Sequence, residues 1–297
     1  MIVKSENGGV RVGELEFFDV TQTFDCGQCF RFTVEENRAR GYAFGREVTF
    51  TQLSESEIYI YPCTETEYYE IWERYLSLDT DYAAIRKELA GARPGDDKLA
   101  TAMETGKGIR ILRQEPWETL CSFIISQNNN IPRIKKIIDS LCRAGAEQKK
   151  QKIGITESGI GGMGDGGGAS PVDFPSPEVL AEMGTEGIFA LRTGFRAAYL
   201  YDAACKVIRS EVKLEKLFEM SCADAAAELC RIKGVGPKVA ACTLLFGFDK
   251  LDAFPIDVWV KRVMTEYYGD NIDASAFGRY AGLAQQYLFY HRRYIEG

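Results

Sequence analysis

Apolar and polar residues alternate along residues 48–63 (VTFTQLSESEIYIYPC), with β-branched and aromatic side chains at the apolar positions, the pattern of half-buried strands. Residues 34–44 (VEENRARGYAF) place a turn between two shorter runs of the same kind. The period then changes. EYYEIWERYLSL, residues 67–78, has helical spacing with Tyr69, Trp72, Tyr75 and Leu76 on one side. From about residue 97 helical segments dominate: LCSFIISQNNNIPRIKKIIDSLC, SPEVLAEM, AAYLYDAACKVIRSEV, CADAAAELCRI, KVAACTLLFGF and AGLAQQYLFYHRR. Ser176-Pro177-Glu178 starts one of them well, with a capping serine, proline at the first helical position and an early carboxylate. The chain thus reads as α+β, with a mixed domain of mostly antiparallel strands over residues 1–96 and an all-α domain over 97–297.

The patterning fails between residues 146 and 171. In GITESGIGGMGDGGG eight of fifteen residues are glycine, and such a stretch buries too little to offset its ordering entropy. A phosphate-binding glycine loop would need a strand before it and a GK[ST] helix start after it, and neither is present. The expectation is a flexible insertion.

The chain has 297 residues, about two domains' worth, and an ordinary globular composition of 45% hydrophobic and 27% charged residues. No apolar run approaches the roughly 18–20 residues of a membrane span, so no membrane is expected as a partner. The opening MIVKSENGGV lacks the apolar stretch of a secretory signal. Nine scattered cysteines read as buried thiols of a reducing, cytosolic or nuclear compartment. Cys26 and Cys29 form a CxxC, but no second pair follows at zinc-site spacing. With one histidine, His291 near the C-terminus, a histidine-based triad or a multi-histidine metal site is not expected. The net charge of −7 argues against a broad nucleic-acid surface but not a local one. Basic residues do gather at Arg133, Lys135, Lys136 and Arg143, then Lys149, Lys150 and Lys152; a solvated face would look the same.

The richest segment is ELCRIKGVGPKVAACTLLFGF, residues 228–248. A helix of about 223–231 runs into Lys233-Gly234-Val235-Gly236, and Pro237 opens a second helix. Gly234 and Gly236 permit a turn tight enough to set backbone amides against a phosphate. This is a helix-hairpin-helix, spanning about 223–247. It grips DNA backbone without many basic residues, which reconciles the acidic composition with DNA binding. Carbonyls of Cys230, Ile232 and Val235 would face outward and could hold a structural monovalent cation or calcium. Lys238 sits in the first turn of the second helix, where the positive end of the helix dipole disfavours an ammonium and favours the neutral, nucleophilic amine. A phosphate-contacting lysine fits equally well there. Asp257 lies nineteen residues on, in FPIDVW, where it either caps the helix that follows or faces a developing cation.

GVGPKVAAC followed by PIDVW, together with RILRQEPWETLCSFIISQNNNIPRI, resembles the 8-oxoguanine DNA glycosylase/AP lyase family of the helix-hairpin-helix superfamily. The resemblance runs from about Cys26 to Tyr290, interrupted by the glycine-rich insertion. It implies a TBP-like N-terminal sheet, and Lys238 as Schiff-base nucleophile with Asp257 as its essential carboxylate. Asn128 matches the residue that fills the gap left by the extruded base. Arg133 and Arg196 match the pair reading the widowed cytosine, and Phe195 stands where a wedge residue, usually tyrosine, is found. For the damaged base, Gly27 matches a backbone carbonyl acceptor, Cys242 and Phe289 the two faces of a sandwich, and Gln285 the reader of the Watson–Crick edge. Trp259 departs from the histidine of some members, which bears on how a phosphate or Asp257 is oriented.

The implied activity is excision of 8-oxoguanine opposite cytosine from duplex DNA, followed by β-elimination, by a monomer requiring no cofactor. Its place would be the nucleoid or the nucleus. Two other readings stay open on the residues alone: a related glycosylase of different base specificity, and a non-catalytic DNA-binding module.

Overall fold

The computed structural model describes residues 1–153, 173–269 and 273–295. Six strands, β1 (Ile2–Glu6), β2 (Gly9–Gly13), β3 (Phe32–Glu35), β4 (Arg38–Ala43), β5 (Arg46–Ser54) and β6 (Glu57–Tyr61), form one antiparallel sheet. Its order is β1-β2-β6-β5-β4-β3. The alternation seen in the sequence becomes a continuous apolar row across it. Val10 pairs with Ile60, Ile60 with Phe50, Phe50 with Ala39 and Ala39 with Val34. Val10, Ile60, Phe50 and Ala39 are fully buried, because a period of two sends every second side chain to one face.

Helix α1 (Val20–Phe24) and a helical segment made of α2 (Glu65–Glu67), a wider turn at Tyr68–Trp72 and α3 (Glu73–Tyr75) cover that face. Tyr68, rather than the expected Tyr69, joins Trp72, Tyr75 and Leu76 in the core. Positions 68, 72, 75 and 76 make the i, i+4, i+7, i+8 stripe of a helix, which leaves Tyr69 52% exposed.

The rest is helical: α4 (Tyr82–Ala92), α5 (Asp97–Thr105), α6 (Pro116–Ser126), α7 (Ile131–Ile153), α8 (Pro177–Ile188), α9 (Arg196–Ile208), α10 (Cys222–Leu229), α11 (Pro237–Gly247), α12 (Val258–Tyr268) and α13 (Ala281–Tyr290). Two corrections concern boundaries. Tyr82, Ile85 and Leu89 of α4 are buried in the core of the helical part, so packing joins this stretch to the helices rather than to the sheet. Residues 146–153, assigned to the glycine-rich insertion, continue α7, because EQKKQK carries strong helix formers and no glycine. The remainder of that insertion lies outside the described residues. No helix among the described residues is long and apolar enough to cross a membrane.

The two cores meet at residues 24–32. Cys26 and Phe30 belong to the helical core, whereas Phe24, Cys29 and Phe32 belong to the sheet core. Between them Gln28, fully buried, donates to the carbonyls of Thr23 and Arg110 (both 2.8 Å) and accepts from the Leu112 amide (2.9 Å). An amide with its polar groups satisfied this way holds the loop as a rigid brace.

Candidate active site

The hairpin forms where the sequence places it, between α10 and α11. Its turn is anchored on α9: the Lys233 amide donates to Asp202 (2.7 Å), and Lys206 donates to the Arg231 carbonyl. Gly234 adopts φ +77°, and a Cβ there would lie 2.2 Å from the Tyr199 ring, so both conformation and space demand glycine. Gly236 differs from the expectation. Its φ of −102° suits any residue, and nothing stands within 4 Å of where its Cβ would be. What glycine provides there is a bare surface beside the N-terminus of α11.

Pro237 opens α11, and Lys238 follows in the first turn. The Lys238 Nζ lies 5.8 Å from the centroid of the Phe123 ring. Asp257 is the N-cap of α12, its Oδ1 accepting from the Val260 amide at 2.8 Å. Asp257 thus caps α12 with one oxygen and also lines the cavity that contains Lys238. Helix α13 is seated against α11 through Gly282, where a Cβ would come within 2.5 Å of the Leu245 side chain and the Ala253 carbonyl. That close approach sets the register bringing Gln285, Gln286 and Phe289 opposite Lys238 and Cys242.

These elements enclose a cavity of about 70 Å³ lined by Cys26, Gly27, Phe123, Lys238, Cys242, Phe246, Pro255, Asp257, Gln285, Gln286 and Phe289. Gly27, Cys242, Gln285 and Phe289 are therefore brought together with Lys238 and Asp257, although they come from four distant parts of the chain. Gly27 has φ +82°, a conformation that side chains disfavour. Both cysteines are poor nucleophiles. Burial pushes the Cys242 thiol up to about 11, opposed by the Lys238 charge and reinforced by Asp257. Burial likewise pushes Cys26 up to about 12. The thiolate is the reactive form, so burial disfavours either thiol as a nucleophile.

Gln285 and Gln286 are each 4% exposed, and the side-chain oxygen of each is buried without a hydrogen-bond partner. Such atoms are rare and costly in a folded core, and here both belong to residues lining one cavity. Gln286 was not anticipated. The sequence signal was available, since AGLAQQYLFY sets two adjacent amides in an otherwise apolar helix.

The residues expected at the DNA gap lie together on a separate edge. Residues 127–130 interrupt what the sequence suggested as one helical run, and Asn128 is exposed with φ +48°. Asn130 caps α7 by accepting from the Arg133 amide at 3.0 Å, leaving the Arg133 side chain exposed. Arg196 is 2% exposed and donates to the carbonyls of Gln127, Asn128 (2.9 Å) and Thr193 (3.2 Å). Burial, with Arg133 nearby, lowers its pKa from the ordinary arginine value. Here it braces the loop that carries Asn128. Phe195, 51% exposed, lies beside it with the guanidinium 4.4 Å from the ring centroid. Trp259 is 44% exposed at the start of α12 and carries Arg262 over its ring at 5.5 Å.

Three residues of the basic cluster on α7 have partners within the chain. Lys135 donates to the Phe32 carbonyl (2.5 Å), Arg143 pairs with Asp139 (2.8 Å) and Lys149 with Asp173 (3.1 Å). His291 is buried with its Nδ1 2.9 Å from the Thr105 hydroxyl, away from the cavity lining. Among the described residues no cluster of three or more His, Cys, Asp or Glu side chains is placed to hold a metal.

Comparison with known proteins resolves the lineage. Residues 10–120 match the 8-oxoguanine DNA glycosylase N-terminal domain, and residues 121–276 match the HhH-GPD superfamily of base excision DNA repair proteins. The chain belongs to the 8-oxoguanine DNA glycosylase family. Its fold superposes on MBOgg1 in complex with a low-affinity DNA ligand with a TM-score of 0.85 at 38% identity, covering 100% of this chain and 99% of that one. The Clostridium acetobutylicum 8-oxoguanine glycosylase/lyase, in complex with duplex DNA containing cytosine opposite 8-oxoguanine, gives 0.85 at 34% identity with the same coverage. The Arabidopsis thaliana N-glycosylase/DNA lyase OGG1 is 31% identical over 235 residues, 72% of this chain but 60% of its own length. Within this 8-oxoguanine glycosylase relative, both matched segments contribute to the cavity: Cys26 and Gly27 come from the first, Phe123, Lys238, Cys242 and Asp257 from the second.

Proposed function

We propose that this protein excises 8-oxoguanine opposite cytosine from duplex DNA and then nicks the strand as an AP lyase. The observation that carries the reading is the single cavity in which Lys238 and Asp257 share the lining with two glutamines whose amide oxygens are unpartnered, an aromatic face at Phe289 and a thiol at Cys242. A base must leave the helical stack to enter such a cavity, and Phe289 with Cys242 would sandwich it while Gln285 reads its Watson–Crick edge. Gly27 would accept from N7–H of the oxidised base, where unmodified guanine presents a lone pair instead.

The Lys238 amine, once it has given up its proton, attacks C1′ as the bond to N9 breaks, and the base departs with the bonding pair and acquires a proton. Asp257 stabilises the positive charge that develops on the sugar. Ring opening gives a Schiff base, which acidifies the C2′ proton. Loss of that proton expels the 3′ phosphate by β-elimination. Every step uses lysine, carboxylate and water, so we assign no cofactor to the chemistry. A monovalent cation or calcium at the carbonyls of Cys230, Ile232 and Val235 would serve the hairpin's grip on the DNA backbone alone.

Asn128 would occupy the gap, Phe195 wedge the neighbouring step, and Arg133 meet the widowed cytosine. We assign the protein to act as a monomer, in the nucleoid or the nucleus. The test is incubation with an 8-oxoguanine:cytosine duplex and borohydride. A covalent protein–DNA band is expected. Free base without a trapped band would indicate a monofunctional glycosylase, and binding without either would indicate a non-catalytic module.

A further inference from the structure

The cavity contains more hydrogen-bonding capacity than the roles above employ. Gln285 alone is enough for two groups of a purine edge, since one amide offers one acceptor side and one donor side. Gln286, its neighbour on α13, is equally buried at 4% exposure, lines the same cavity and has an unpartnered oxygen. Successive helical residues point about 100° apart, so one cavity reaching both amides wraps around the edge of α13. Two buried acceptor oxygens call for two N–H donors. The Watson–Crick edge of a guanine-type base supplies N1–H and the exocyclic 2-amino group on adjacent atoms. An adenine-type edge supplies one donor there, beside an acceptor nitrogen, and would leave one of the two oxygens unpaired.

We propose that Gln286 is a specificity-determining residue that accepts a hydrogen bond from the 2-amino group of the extruded base, so that the cavity selects lesions derived from guanine. The inference rests on the proposed base excision and extends it to the part of the base recognised. It also accounts for the cost of burying a second amide in the apolar helix AGLAQQYLFY: the penalty is relieved when a base with two edge donors enters.

The test compares single-turnover excision of 8-oxoguanine and of 8-oxohypoxanthine, each opposite cytosine. The two bases share N1–H, O6, N7–H and the C8 carbonyl, and differ in the 2-amino group. The unmodified protein should favour 8-oxoguanine by about tenfold or more, as expected when a site built for a donor meets an analogue lacking it. In Gln286→Leu the 8-oxoguanine rate should fall by about that factor while the 8-oxohypoxanthine rate holds, so the preference closes. Cleavage of a preformed abasic site involves no base and should be unchanged, which also shows that the variant is folded. Gln286→Met carries the same comparison if the leucine variant fails that control. A loss shared equally by both bases would place Gln286 behind Lys238 or Asp257 instead and overturn the proposal, as would a preference that survives the substitution. Excision of neither base by the unmodified protein would remove the functional reading itself, and this inference with it.

Discussion

The buried Arg196 guanidinium donates a 2.9 Å hydrogen bond to the main-chain carbonyl of Asn128, across sixty-eight residues of sequence. It also donates to the Gln127 carbonyl, so the exposed loop that would enter the DNA gap is held from beneath by one side chain. Arg196→Ala should therefore reduce excision by roughly tenfold or more opposite any base, because a loop misplaced by an ångström loses its geometry. A direct reader of cytosine would instead lose activity with cytosine while sparing other partners. Single-turnover rates against the four opposite bases separate the two roles.

Asp257 both caps α12 and lines the cavity, and two substitutions divide these functions. Asn caps helices about as well as Asp, whereas Ala costs about 1 kcal/mol. Asp257→Asn should leave the melting temperature nearly unchanged and cut base excision strongly, with a smaller loss on a preformed abasic site. Asp257→Ala should lose both activity and a few degrees of Tm. Equal Tm losses in the two variants would argue against the cap at Val260.

Lys238→Gln should abolish the borohydride-trapped band yet keep lesion binding within a few-fold, since the hairpin amides and Arg133 are untouched. Gel-shift and trapping measured on the same preparation give the answer. A trapped band of undiminished intensity would move the nucleophile to another residue.

The hairpin glycines should respond differently. Gly234→Ala would drive a Cβ to 2.2 Å from the Tyr199 ring at φ +77°, costing on the order of 2–4 kcal/mol from overpacking and strain. Gly236→Ala meets open space at φ −102° and should fold normally while weakening DNA binding, because the methyl stands where a phosphate would approach. Denaturation midpoints and DNA affinity of the two variants should therefore rank in opposite ways.

Glu118, between the sheet and the helices, should mark the pH dependence of stability. Burial pushes its carboxyl up to about 7, against the influence of Arg31 3.3 Å away and assisted by Glu115. The folded pKa lies above the unfolded one, so the folded state binds more protons in this window. Stability should then fall as pH rises from about 4.5 to about 7. The expected loss is on the order of 1–3 kcal/mol. Glu118→Gln should flatten the curve over that range in urea titrations; an equally steep curve in the variant would place the titrating group elsewhere.

Much of this protein is legible in one dimension. The sheet follows from alternation in residues 48–63, the hairpin from GVGP, and the place of Lys238 in the first turn of a helix from Pro237 before it, because each depends on neighbours in the chain. The N-cap of Asp257 is local in the same sense. Gln286 was legible only as an anomaly, an amide beside an amide in an apolar helix; that its oxygen is buried without a partner depends on the Gly282 contact between α13 and the loop after α11. The contacts of Arg196 were hidden for a related reason. Whether an arginine reaches outward or folds beneath a loop is decided by which carbonyls lie within its reach, and those of Gln127 and Asn128 arrive from nearly seventy residues away. Tyr69 yielded to Tyr68 because two helical stripes fit the same residues, and only the sheet's apolar row chose between them. Local periodicity and turn chemistry determined the elements and the places of Lys238 and Asp257 at two helix starts, while close packing of distant segments decided which polar atoms would be buried without a partner.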